Sequence, residues 1–132
     1  MKLVLATQNP KKLKEMNEIL SHLGVEVVSE AELGVRIEVE ETGETFTDNA
    51  RLKATAVMQA TGLPAVADDS GLCVDALNGG PGVYSARFGG EGLDDKGRYT
   101  LLLEMLRGQT DRAAHFHTSI VCAFPNGDEL VC

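Results

Sequence analysis

Residues 2–28 limit the possible folds more than any other stretch of this chain, because they read as strand, helix, strand. Lys2 to Ala6 is a short apolar run suited to a buried strand. Asn9-Pro10 then opens a helix, with Asn as N-cap and Pro at the first helical position. Leu13, Met16, Ile19, Leu20 and Leu23 recur at helical spacing, and Gly24 follows as a stop. Val25 to Val28 is a second apolar run. This β-α-β order favours parallel pairing, so the expected class is α/β, with helices flanking a central sheet.

The remaining punctuation is equally regular. Glu38 to Glu44 is an acidic, glycine-containing loop, and a second helix is expected from about Thr45 to Thr61, stopped by Gly62 and Pro64. Ala65–Ala67 and Leu72–Leu77 read as two short strands flanking an acidic turn at Asp68-Asp69-Ser70-Gly71. Asn78 to Gly82 is a loop, and Asp94 or Asp95 opens a third helix with Tyr99, Leu102, Met105 and Leu106 on one face. Phe116 to Phe124 is a long strand with apolar residues on both faces, which places it inside the sheet. Pro125 to Asp128 is a hairpin turn, and Glu129 to Cys132 its returning strand. A chain stopping four residues into that strand reads as a fragment of a longer protein.

Composition narrows the function classes. With 132 residues the chain is long enough for one domain (1-132) with a real core. No apolar run is long enough for a membrane-spanning helix, and the N-terminal run is too short for a signal peptide. The expected location is therefore the cytoplasm. Cys73, Cys122 and Cys132 form no CxxC pair, and the first two sit in apolar runs as small core residues. A net charge of −8 argues against a nucleic acid polymer as partner. Yet Lys2, Lys11, Lys12 and Lys14 cluster near the N-terminus, which suits a small anion.

Three segments carry the chemistry. Asp68 and Asp69 are adjacent acids between apolar runs, which is costly unless a cation offsets the charge or one acid works as a base. Asp oxygens are hard ligands suited to a divalent cation. The same residues also make a good turn. Thr7-Gln8-Asn9-Pro10-Lys11-Lys12 lies between a strand end and a helix N-terminus, a natural seat for phosphate. It lacks the glycines and the Lys-Ser/Thr pair of a Walker loop, and an ordinary capped helix with solvated lysines fits it as well. Glu40-Glu41-Thr42-Gly43-Glu44 is a solvated acidic loop or a source of a carboxylate for Mg²⁺. His115 and His117 read as ordinary strand positions, since no third ligand is spaced to join them. Phosphate donors, magnesium ligands and a possible base together suggest phosphoanhydride chemistry.

These residues resemble the inosine triphosphate pyrophosphatases, also called the Ham1 family. The resemblance rests on Leu5 to Lys12, Glu40 to Phe46, Asn49-Ala50 with Lys53-Ala54, Ala67 to Leu72, and Gly80 to Arg87. These come in family order and cover the whole chain. The resemblance implies a two-lobed α/β fold with a mixed central sheet and an active-site cleft, usually in a homodimer. It implies Mg²⁺-dependent hydrolysis of the triphosphates ITP, dITP and XTP to monophosphate and pyrophosphate, which cleanses the nucleotide pool. By the same match Thr7, Gln8, Asn9, Pro10, Lys11 and Lys12 line the substrate site, and Lys53, Ser70 and Arg87 contact substrate. Glu40 and Asp69 hold the metal, and Asp69 accepts the proton of the attacking water. Read as residues alone, Lys53 is also a solvated helix position and Arg87 a loop anchor.

The family continues for roughly one third more chain, with Gly-Tyr-Asp-Pro and Ser-His-Arg segments that complete a base pocket and are absent from these residues. Weak or unselective activity is expected of the 132 residues alone. Two other readings stand beside the first: a nucleotide-binding module without turnover, and a house-cleaning pyrophosphatase of the Maf type.

Overall fold

A computed structural model describes residues 1–7, 9–90 and 92–132. The chain divides into two compact units, Met1–Asp69 with Ser119–Cys132, and Ser70–Thr118.

The first unit is an α/β sandwich. Strand β1 (Lys2–Leu5) leads to helix α1 (Pro10–Ser21) and strand β2 (Glu26–Ser29). Helix α2 (Phe46–Thr61) then leads to strand β3, which begins at Ala65. β1 pairs in parallel with β2, from Lys2↔Glu26 to Leu5↔Ser29, and with β3 at Val4↔Ala65 and Leu5↔Val66. The later strands β5 (Ala114–Ala123) and β6 (Glu129–Val131) pair antiparallel, so the sheet is mixed, in the order β2-β1-β3-β5-β6. The chain therefore crosses from β2 over β1 to reach β3. Right-handed crossovers in opposite directions put their helices on opposite faces.

The core has that arrangement. Val4, Ala6, Val28, Ala65, Ala67, Val121 and Ala123 share one face with Ala50, Ala54 and Val57 of α2. Leu3, Leu5, Val27 and Val66 share the other, with Leu13, Met16 and Leu20 of α1 packed against them. Neighbouring residues alternate faces in β1, in β2, at the start of β3 and at the end of β5, as the two-residue period requires. The α2 face uses mostly alanine and valine, which lets the helix lie close to the sheet. Each buried valine contributes about 1.5–3 kcal/mol relative to exposure. Both helices are capped as expected. Asn9 accepts the N–H of Lys11 at 3.0 Å and Thr45 that of Asp48 at 3.0 Å, and Gly62 ends α2 in the left-handed region at φ 70°.

The second unit is lighter. It takes the end of β3, the short strand β4 (Gly80–Pro81) paired antiparallel at Cys73↔Pro81 and Val74↔Gly80, helix α3 (Asp95–Met105), and the start of β5. Asp94 caps α3 by accepting the N–H of Gly97 at 2.7 Å. The expected apolar face of α3 is not a buried one: the helix has no buried residue, and Tyr99 and Met105 are exposed, while Leu106 just beyond it is buried.

One expectation fails. Asp68-Asp69-Ser70-Gly71 is not a turn between two short strands; β3 runs unbroken from Ala65 to Val74, and Asp75–Leu77 forms a 3₁₀ turn. The local turn preference is overridden because β3 continues past the end of β1 as a strand beside β5, whose ladder engages its backbone groups.

Candidate functional site

The acidic pair lies just past the carboxyl end of β1. β1 stops opposite Val66, and β3 continues with Asp68 and Asp69 into the space beyond. Ligands in open α/β sheets sit at this edge, at the point where strand order reverses on either side of the first strand.

Two-residue alternation gives the pair separate duties. Asp68 follows Val66 onto the α1 side, where its Oδ2 lies 2.6 Å from the Nζ of Lys12. Asp69 follows Ala65 and Ala67 onto the α2 side, where its Oδ2 accepts a hydrogen bond of 3.3 Å from the amide of Asn49. Lys53 lies one helical turn beyond Asn49 and so on the same side of α2. Its ammonium donates to the backbone carbonyl of Asp68 at 2.6 Å and pairs with Glu41 at 3.3 Å. Ala6, Thr7, Lys12, Glu41, Lys53 and Asp68 line a cavity of about 270 Å³ together with Glu30, Ile37, Val39 and Val57.

Burial pushes the Asp69 carboxyl above the usual aspartate range, and the nearby charges of Glu41 and Asp68 add to this. The Asn49 hydrogen bond and the Lys53 charge work against the rise. The site is thus two lysines and three carboxylates in close quarters. Helix α1 has no acid in its first turn, where Lys11 and Lys12 sit at the positive end of the dipole. That arrangement is unfavourable by itself and favours an anion there.

The residues singled out in the sequence fare differently. Thr7, Lys12 and Lys53 line the cavity of about 270 Å³, Asp69 lies beside it within reach of the Lys53 charge, and Asn9 and Pro10 line a neighbouring cavity of about 390 Å³ that Thr7 and Glu30 also border. Thr7 accepts the backbone N–H of Asn9 at 3.1 Å, so both polar side chains shape the loop. Lys11 is exposed, and Gln8 lies outside the described residues. Ser70 and Arg87 belong to the second unit, where both are exposed and the Arg87 guanidinium lies 5.8 Å from the centre of the Tyr84 ring. Glu41 lines the cavity, whereas Glu40, read above as the metal ligand, is exposed and is not among its lining residues. A tight turn centred on Glu41, in which the N–H of Thr42 donates to the carbonyl of Glu40 at 3.1 Å, accompanies the pairing of Glu41 with Lys53.

Sequence reasoning passed over two residues. Asn49 enters only as part of the Asn49-Ala50 match and is given no role, although its four-residue spacing from Lys53 puts the two on one side of α2. Glu30 is buried at the end of β2, where its carboxylate accepts the N–H of Ile37 at 3.3 Å and burial raises its pKa. Nothing in the sequence distinguishes it from its exposed acidic neighbours. His115 and His117 are exposed on β5.

Among the described residues no three His, Cys, Asp or Glu side chains form a ready-made metal cage. Asp69 and Glu41 nevertheless suit Mg²⁺. They are hard oxygen donors, and magnesium commonly takes one or two protein carboxylates and completes its shell with water and phosphate. A cation would also relieve the repulsion felt by Asp69.

The fold and this edge define the class: an α/β protein with a mixed sheet whose lysines and carboxylates gather at the carboxyl end of β1. The chain belongs to the Ham1 family, whose sequence model matches residues 3–132. It is 54% identical over 129 residues to the dITP/XTP pyrophosphatase of Desulforamulus reducens, covering 96% of this chain and 64% of that protein. Its identity to the dITP/XTP pyrophosphatase of Leptospira interrogans is 47% over 127 residues, covering 96% and 62%. The chain thus spans somewhat under two thirds of the length of these relatives. Among solved structures, the HAM1 protein of Coxiella burnetii superposes with a TM-score of 0.93 at 43% identity, covering all of this chain and 68% of that one. The Ham1 protein of Staphylococcus aureus gives 0.91 at 40%, covering 99% and 67%.

Proposed function

We propose that this chain carries the catalytic residues of a nucleoside triphosphate pyrophosphatase acting on the non-canonical purine nucleotides ITP, dITP and XTP. The products are the monophosphate and pyrophosphate, and the role is to keep deaminated purines out of the nucleotide pool. The observation that carries the reading is the convergence of Lys12, Lys53, Glu41, Asp68 and Asp69 at the carboxyl edge of the sheet. The names of the relatives supply the substrate class.

In this reading Asp69 takes the proton of the water that attacks the α-phosphorus. Its hydrogen bond from Asn49 holds the carboxylate in place for that proton. The bond from the α-phosphorus to its bridging oxygen breaks, and pyrophosphate leaves. Lys12 and Lys53 exchange their present carboxylate partners for phosphate oxygens and neutralise the charge that develops on the leaving group. Asp69 and Glu41 would hold Mg²⁺, which when bound neutralises phosphate oxygens and orients the reactants. Ser70 and Arg87 are further substrate contacts in this proposal, and the working form is a cytoplasmic homodimer.

The test is pyrophosphate release from dITP with Mg²⁺, with Asp69→Asn and dATP as controls. Release that vanishes in the variant supports the reading. Nucleotide binding without release, unchanged by Asp69→Asn, would replace it with a binding module.

A further inference from the structure

We propose that Asn49 is a positioning residue, a buried latch that fixes the Asp69 carboxylate and the acidic loop bearing Glu41 to one another. Its side chain is fully buried within α2. Its Oδ1 accepts the backbone N–H of Gly43 at 2.8 Å, and its Nδ2 donates to Asp69 Oδ2 at 3.3 Å. The chemistry of the partners fixes the amide's orientation. A backbone N–H can only donate and an ionised carboxylate can only accept, so the oxygen must face the loop and the nitrogen the strand. No side chain other than a primary amide of this length offers both at once. Aspartate would keep the loop contact and set a second negative charge against Asp69, and leucine would keep the shape and lose both bonds.

The loop side is built around this contact. A Cβ on Gly43 would lie 2.7 Å from Asn49 Oδ1 and 2.6 Å from the Cβ of Asp48, so only glycine lets the loop approach closely enough. Glu41 is two residues away in the same loop and pairs with Lys53, the next residue of α2 on Asn49's side. One amide therefore sets the distance between a carboxylate supplied by a strand and one supplied by a loop. Asparagine is a poor helix-interior residue, and its presence in the buried first turns of α2 is explained by this double contact.

This inference deepens the pyrophosphatase reading and rests on it for its catalytic consequence, so the experiment separates the two. Hydrogen exchange at the Gly43 amide is measured in the metal-free chain. Asp69→Ala is expected to speed exchange at Gly43 when Asn49 is present, and to have no further effect in an Asn49→Leu background. Mn²⁺ affinity without nucleotide and pyrophosphate release from dITP are then measured for Asn49→Leu. The expected loss is about ten- to hundredfold in Mn²⁺ affinity and in kcat, the usual consequence of removing a partner of a metal-ligating group, with KM nearly unchanged. If Asn49→Leu does not fold, Gly43→Ala breaks the same latch from the loop side and is read in the same way. Gly43 exchange that ignores Asp69, or Mn²⁺ affinity within about twofold of the parent in a folded variant, overturns the proposal. A parent chain that shows the Gly43–Asp69 coupling but releases no pyrophosphate retains the latch and overturns the pyrophosphatase reading instead.

Discussion

The two units of this chain spend their apolar residues differently. Met1–Asp69 with Ser119–Cys132 buries valine, leucine and alanine on both faces of its sheet and places a helix against each. Ser70–Thr118 contributes only Cys73, Val74 and Leu106 to the buried apolar residues among those described, while Tyr84, Tyr99, Leu103, Met105 and Phe116 are exposed. The unit with the dense core also holds Lys12, Glu41, Lys53, Asp68 and Asp69. Charged groups forced together need a stiff support, and a close-packed sheet edge supplies one.

The contrast can be broken most directly at the chemistry. Asp69→Asn should lower pyrophosphate release from dITP by about 10²–10⁴-fold, the range for removal of a positioned base. Full activity in this variant, read by a pyrophosphate assay, would remove the first unit's claim to the reaction. The next effect concerns packing. Leu106→Ala should cost about 2–5 kcal/mol in denaturant unfolding, because it is the large buried side chain of the second unit. Leu103→Ser, three residues earlier and exposed, should change stability by less than about 0.5 kcal/mol. Equal losses would mean that the exposed face of α3 is covered in solution.

A pH profile sharpens the comparison further. Asp69 must be ionised to act, and its pKa in the folded protein is raised by burial. In the metal-free chain the Asp69 carboxyl should therefore titrate above the ordinary aspartate range, as read by carbon NMR of its side chain. Lys53 opposes the rise, so Lys53→Met should move that titration to still higher pH. A titration that stays in place would show that Lys53 does not sense Asp69. The smallest effect is expected at Glu30. Burial raises its folded pKa, so its contribution to stability is complete below the unfolded value and is lost as pH rises through the folded one. Glu30→Gln keeps an acceptor for Ile37 and should raise Tm slightly at pH 8 and not at pH 4, a difference that calorimetry at the two pH values can measure.

Much of the fold was legible because its signals are local. Asn9-Pro10, Thr45, Gly62 and Asp94 mark helix ends through side-chain caps and left-handed glycine, and those act within a few residues. The acidic doublet misled for the opposite reason: its turn chemistry is local, and the strand beside this part of β3 is β5, distant in sequence. The α3 stripe misled because periodicity reports which residues share a face and not whether anything covers it. At the site, Lys12, Lys53 and Asp69 were readable from the company they keep in the chain. Which of Glu40 and Glu41 lines the cavity was not, since that depends on which way an irregular loop turns its side chains. Asn49 was not either, because a buried amide's role lies wholly in its two partners.

Two aspartates side by side look like a spare and its original. On a strand they are nothing of the kind, since Asp68 and Asp69 point to opposite sides of the sheet, one toward Lys12 and the other toward Asn49. Neither can deputise for the other without the strand sliding by one residue, and such a slide would exchange every core side chain of β3 between the α1 and α2 faces. The doublet therefore has no backup in it. A population of random variants should tolerate loss of either aspartate no better than if each stood alone in the sequence.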